Sequence, residues 1–117
     1  MRSSEIKFKV ELDHQNVPHS IKWLATDSQH NELKDCKSMQ ISLWDAFEKT
    51  TFNIHLWTKD ITTDEMHAQF FQTLLSFADS YQRATGNPFV KEEMKKFTNN
   101  LAEQTAEWEE SRARVKQ

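Results

Sequence analysis

The apolar residues of this chain change their spacing near residue 60, and that change constrains the fold more than any other feature. Up to residue 58 they recur at every second position, the repeat of a half-buried β-strand. From residue 62 onward they recur at every third or fourth position, the repeat of an amphipathic helix. Residues 4–12, SEIKFKVEL, put Ile6, Phe8, Val10 and Leu12 on one face and Glu5, Lys7, Lys9 and Glu11 on the other. Residues 13–19, DHQNVPH, carry turn formers and a proline, after which Ile21, Trp23 and Ala25 again share a face. Residues 27–37 are polar and unpatterned, and read as a surface loop.

A second hairpin follows in the stretch LWDAFEKTTFNIHLW, residues 43–57. Met39, Ile41 and Leu43 alternate on the way in, and Phe52, Ile54 and Leu56 on the way out. A turn at 48–49 or at 47–50 pairs Leu43 with Ile54, Ile41 with Leu56 and Trp44 with Asn53, and gathers the aliphatic residues on one face. In that register Trp44, His55 and Trp57 form a stripe on the opposite face, with Trp44 diagonal to His55. An exposed aromatic stripe is a contact surface, because a lone soluble chain gains nothing by keeping such groups wet. Two arrangements would hide it instead: the second helix folding over this face, or the sheet twisting Trp57 into its own core.

The helical part is punctuated at both ends. Thr62 and Glu65 have capping-box spacing, Asp64 and Glu65 favour the positive end of the helix dipole, and Gly86 sits where a left-handed C-cap belongs. Asn87 then caps a second helix that has Pro88 at its first position. Met66, Phe70, Leu74, Phe77 and Tyr81 form a wide apolar stripe on the first helix. Val90, Met94, Phe97, Leu101 and Trp108 form a narrower seam on the second.

The expected fold is therefore α+β. One four-stranded antiparallel sheet of two hairpins (strands 4–12, 20–26, 37–46 and 51–58) is followed by two C-terminal helices (63–84 and 88–110) packed on one face, in a single domain spanning residues 1–117. The polar run after Trp108 is expected to project or fray.

Composition removes several function classes. With 117 residues the chain has one glycine and one cysteine. Walker loops, dinucleotide fingerprints and nucleophile elbows need several glycines, so none fits. Cys36 has no partner for an internal disulfide, a zinc site or a C-x-x-C pair. Net charge is −3, and acids slightly outnumber bases in both halves, which disfavours nucleic acid and anionic membrane as partners. No apolar run approaches a signal peptide or a membrane span, so a cytoplasmic location without membrane insertion is expected.

Catalytic readings are weak. His14, His19 and His30 fall in expected loops without a second imidazole at ligand spacing. Asp64 and His67, three apart in the first helical turn, could share a metal or small ligand with Asp60, and this is the enzymatic alternative. Its simpler reading is a dipole-favoured acid beside an exposed histidine. Glu92, Glu93, Glu107, Glu109 and Glu110 read as the wet face of a long helix. Cys36 lacks a base and an orienting group. No metal site, cofactor or catalytic residue is assigned.

The segments RSSEIKFKVELD (2–13), VPHSIKWLATDS (17–28), LWD (43–45) and IHLWTKDITTDEM (54–66), with QTL and RAT along the first helix, resemble the gliding motility protein GldC family of Bacteroidetes. Where that family is commonly more acidic beside the second tryptophan, this chain has His55. The resemblance implies a small accessory factor of the gliding machinery, with no catalytic residue or cofactor to carry over. The expected activity is non-enzymatic protein binding to a component or assembly factor of that machinery, through Trp44, His55 and Trp57. A homodimer that packs the outer faces of two copies is the competing arrangement.

Overall fold

The structure, a computed structural model, describes residues 1–27 and 32–115. The chain divides into two compact units, Met1–Thr62 and Thr63–Gln117.

The first unit holds β1 (Ile6–Leu12), β2 (Pro18–Ala25), β3 (Lys34–Cys36), β4 (Ser38–Asp45) and β5 (Thr50–Trp57). All pairs are antiparallel, but they form two sheets, β1-β2-β3 and β4-β5, where the alternation predicts one sheet of four strands. A short β3 is the strand the alternation does not show: it pairs Ile21 with Cys36, Lys22 with Asp35 and Trp23 with Lys34, and occupies the edge of β2 away from β1. Residues 34–36 lie in the segment expected to be a loop, and their three-residue length gives alternation nothing to register. His30, also expected in that loop, lies outside the described residues.

In the first sheet Ile6, Phe8 and Val10 oppose Ala25, Trp23 and Ile21, so the two apolar faces of the sequence are one face of the sheet. The register then shifts: Glu11 pairs with Ser20 and Leu12 with Pro18, leaving His19 as an extra residue on β2. His19 therefore belongs to a strand and not to the preceding loop. Asp13 organises that loop. Its Oδ1 accepts hydrogen bonds from the backbone N–H of Gln15 (2.8 Å) and Val17 (3.0 Å), and Asn16 adopts a left-handed φ of 62°.

The β4-β5 register also departs from expectation, by two residues. Leu43 opposes Phe52, Ile41 opposes Ile54, Met39 opposes Leu56 and Trp44 opposes Thr51. The turn decides this. Asp45 Oδ1 accepts from the N–H of Phe47 (2.8 Å) and Glu48 (3.0 Å), and Lys49 takes a left-handed φ of 53°, closing a loop over residues 46–49. A slip of two keeps every side chain on its face, so the aliphatic pattern is satisfied equally by both registers. Among the described residues of this unit, Ile21, Met39 and Thr58 are buried.

The second unit is a helical hairpin of α1 (Thr63–Thr85) and α2 (Phe89–Val115). Gly86, at φ 77°, ends α1 by donating its N–H to Gln82 O (2.8 Å), and Asn87 Oδ1 opens α2 by accepting from Phe89 N–H (3.0 Å). The helices run antiparallel. His67 Nε2 lies 3.0 Å from Glu109 Oε1 near one end, and Lys91 Nζ donates to Asp79 Oδ1 (3.0 Å) toward the other. Small buried residues, Ala78 and Thr98, mark the crossing and let the helices approach closely. The α2 seam consequently turns toward Thr98, and Phe97 and Trp108, expected within it, are exposed. The segment after Trp108 continues as helix to Val115, and Arg112 stacks over the Trp108 ring at 4.7 Å.

Candidate functional site

The register slip redistributes the expected stripe. Trp44, His55 and Trp57 share a face by parity, and all three are exposed. Trp57 opposes Ser38 and His55 opposes Gln40 at the base of the hairpin, whereas Trp44 opposes Thr51 at its tip. Four residues along β5 separate Thr51 from His55, about 13 Å of strand. Between the two ends lies the pair Ser42 and Asn53, where Ser42 Oγ donates to Asn53 Oδ1 at 2.6 Å. The stripe is broken by a polar rung: His55 and Trp57 stand together, and Trp44 stands apart.

At the base, His55, Leu56 and Trp57 line a groove of about 310 Å³ with Val17, Pro18 and Lys59. Three features hold its walls. Thr58, buried immediately after β5, donates its N–H to Lys37 O (2.8 Å) and its hydroxyl to the Asp60 carboxylate. Lys59 N–H donates to Pro18 O (3.4 Å), which brings β5's continuation beside β2. Lys59 Nζ donates to Asp13 Oδ2 at 2.9 Å, tying the groove to the turn that Asp13 organises. The Lys59 ammonium, followed by the Val17 and Gln15 amides, lowers the Asp13 pKa to about 2. Val17, Pro18 and Lys59 are absent from the sequence-level site, because alternation within one hairpin cannot show which loop comes to lie beside it. The one signal available is the turn-forming run that begins at Asp13.

A second cleft of about 360 Å³ lies in the same unit, lined by His19, Ser20, Ile21, Asp35, Cys36, Lys37, Thr58 and Asp60. Its chemistry is quiet. Burial pushes the Cys36 thiol up from its ordinary value, against the pull of the Ser38 amide, which keeps it a thiol at neutral pH. The Thr58 hydroxyl holds the Asp60 carboxyl below its usual range, so this group stays ionised and is a poor proton carrier near pH 7.

Asp60 belongs to the first unit and Asp64 and His67 to the second, and among the described residues no group of three His, Cys, Asp or Glu could hold a metal ion. His67 instead bonds Glu109 and stacks on Phe71, with ring centroids 6.4 Å apart. Glu109, expected on the wet face of its helix, is thus half-buried in the helical hairpin. Among the described residues no helix is long and apolar enough to cross a membrane.

These features define a small α+β protein whose distinctive surface is an aromatic-lined groove on a β-hairpin. Residues 18–107 match the family model described as gliding motility-associated protein GldC-like, and the chain belongs to that family. The match takes in β2 to β5, α1 and most of α2. No curated protein and no solved structure matches the chain.

Proposed function

We propose that the protein is a non-enzymatic, cytoplasmic accessory factor of gliding motility that docks a protein component or assembly factor of the motility machinery in the groove formed by His55, Trp57, Val17, Pro18 and Lys59. The carrying observation is the groove itself, where an indole and an imidazole stand exposed on one strand and a lysine sits at the rim. Tryptophan in such a position supplies large contact area at small cost in side-chain entropy, which is why it recurs at interface hot spots. The family's association with gliding motility supports the process. The protonated thiol of Cys36 and the committed partners of Asp60 and His67 support the non-enzymatic reading.

The test is affinity capture from gliding cells followed by mass spectrometry, comparing the wild-type chain with Trp57→Ser and Trp44→Ser. Trp57→Ser is expected to lose the captured motility component with the far-UV circular dichroism unchanged. Trp44→Ser, outside the groove, is expected to retain it. Equal capture by wild type and Trp57→Ser would overturn the assignment.

A further inference from the structure

The groove follows the outer edge of β5. His55 and Trp57 line it from one face of the strand and Leu56 from the other, and only an edge is reached from both. The hydrogen-bond pattern gives the direction of the backbone groups along that edge. Beside the pair Trp57–Ser38, Thr58 donates its N–H to Lys37 O at 2.8 Å. Bonded and non-bonded pairs alternate in an antiparallel ladder. Leu56–Met39, Ile54–Ile41 and Phe52–Leu43 are therefore bonded pairs, and Trp57, His55 and Asn53 turn their N–H and C=O groups away from β4. Lys59 has the same parity, and its N–H leaves the outer edge for Pro18 O (3.4 Å). Pairing on this edge begins at Lys59 and goes no further.

The chain on either side of Pro18 cannot extend it. From Ile21 to Trp23, β2 is paired on both sides, with β1 and with β3. Before Pro18, the Val17 N–H donates to Asp13 Oδ1 (3.0 Å) and the Val17 C=O accepts from the Asp13 N–H (2.9 Å), so both of its backbone groups are used. Among the described residues nothing bonds to the outward N–H and C=O groups of Trp57, His55 and Asn53. Every bond in this account lies within Met1–Thr62. Strand β5, TTFNIHLW, also has no lysine or proline, and its register with β4 has no bulge, the devices that ordinarily keep an edge from accepting another strand.

Resting on the docking groove proposed above, we infer that the partner enters it as an extended peptide, which adds a strand to the outer edge of β5 from Trp57 to Asn53 and places an apolar side chain in the groove. Donor and acceptor groups repeating about every 7 Å along a strand are complementary to the backbone of another strand. A helix has already spent its backbone groups internally and cannot answer them. The groove, about 310 Å³, lies at the small end of the range of about 300–1,000 Å³ found for ligand pockets, room for a side chain or two of a peptide. Val17, Pro18, Leu56 and Trp57 make its lining apolar, and Asp13 already neutralises Lys59, so the inserted side chain is aliphatic or aromatic. Side chains of an added strand alternate between faces, and the recognised segment is therefore apolar at every second residue.

The test selects binders to the full-length protein from a displayed library of linear dodecapeptides and measures the best of them as a synthetic peptide. Selected sequences are expected to be apolar at alternate positions. Hydrogen exchange followed by NMR needs no variant: on saturation with the peptide, the amides of Asn53, His55 and Trp57 should become protected, while those of Phe52, Ile54 and Leu56, already bonded to β4, change little. Asn53 lies outside the groove and separates edge pairing from groove filling. Asn53→Pro removes an outward N–H without taking a bond from β4 and should weaken peptide binding about tenfold or more, whereas Asn53→Ala should leave it unchanged. A library that yields no binder overturns the inference, as does a bound peptide that leaves the three outward amides unprotected. If Asn53→Pro still captures the motility component that Trp57→Ser loses, the groove stands as the docking site and strand addition falls. If neither variant loses it, the docking site itself is wrong.

Discussion

Thr98 supplies the sharpest check on how the helical hairpin packs. Its residue is 3% exposed at the helix crossing, and its Oγ1 is buried with no hydrogen-bond partner. A buried hydroxyl left in that condition costs about 1–3 kcal/mol. Thr98→Val replaces it with a methyl group of nearly the same size, and the two residues have almost equal helix propensity. The expected result is stabilisation of about 1–2 kcal/mol, the full penalty being reduced by whatever the surrounding side chains already relax. Thr105, seven residues further along α2, is the control. Its Oγ1 donates to Leu101 O at 2.8 Å, so the same Thr→Val change removes a made hydrogen bond and should destabilise by about 0.5–1.5 kcal/mol. Urea unfolding followed by circular dichroism resolves the difference. With slopes of about 1–3 kcal/mol per molar, the two midpoints should move in opposite directions by roughly 0.5 M each. A Thr98→Val protein no more stable than wild type would refute the packing argument, because the hydroxyl would then have a partner that the crossing geometry does not provide.

Further expectations concern the turns and ion pairs. Gly86→Ala meets no atom within 4 Å but must hold φ 77°, so it should cost about 1–2 kcal/mol from backbone strain alone in the same unfolding assay. Asp13, with a pKa near 2 against an ordinary 3.8, binds its proton less readily in the folded state than in the unfolded one. Its contribution to stability is present above the ordinary carboxylate range and is lost as pH falls through about 2. Asp13→Asn should flatten the acid limb of stability against pH, and carbon-detected NMR titration of the wild-type carboxylate should show the depressed midpoint directly. Asp45→Ala removes the acceptor for two turn amides, and should weaken the hairpin by about 1 kcal/mol and increase amide exchange across β4 and β5. A double-mutant cycle on His67 and Glu109, whose side chains stay 28% and 38% exposed, should return a coupling below about 1 kcal/mol.

The departures from the sequence reading share a cause. Alternation reports the face of a side chain and nothing about distance along the strand, so a register displaced by two was invisible to it. Asp45 decides the register through two hydrogen bonds to its own turn, a geometry that residue spacing does not reveal. The same limit hid β3, since three residues at 34–36 are too few to show a period and yet enough to pair with β2. On α2 the spacing of large apolar residues pointed to Phe97, while the crossing is made by its smaller neighbour Thr98. Helix contact is selected by closeness of approach as well as by hydrophobicity.

The sequence by itself determined the four longer strands and the two helices in their order, the face on which each residue of those strands lies, and the helix caps at Gly86 and Asn87, because these depend on local backbone chemistry and short periods. It also placed the chain among proteins of gliding motility through motifs spread along most of its length. Only the tertiary structure decided that Trp57 and His55 share a groove with Val17, Pro18 and Lys59 while Trp44 stands about 13 Å of strand away from His55. Those neighbours are fixed by hydrogen bonds between residues tens of positions apart, such as Lys59 to Asp13 and Thr58 to Lys37. A pattern that repeats every two or every three to four residues carries no information at that range.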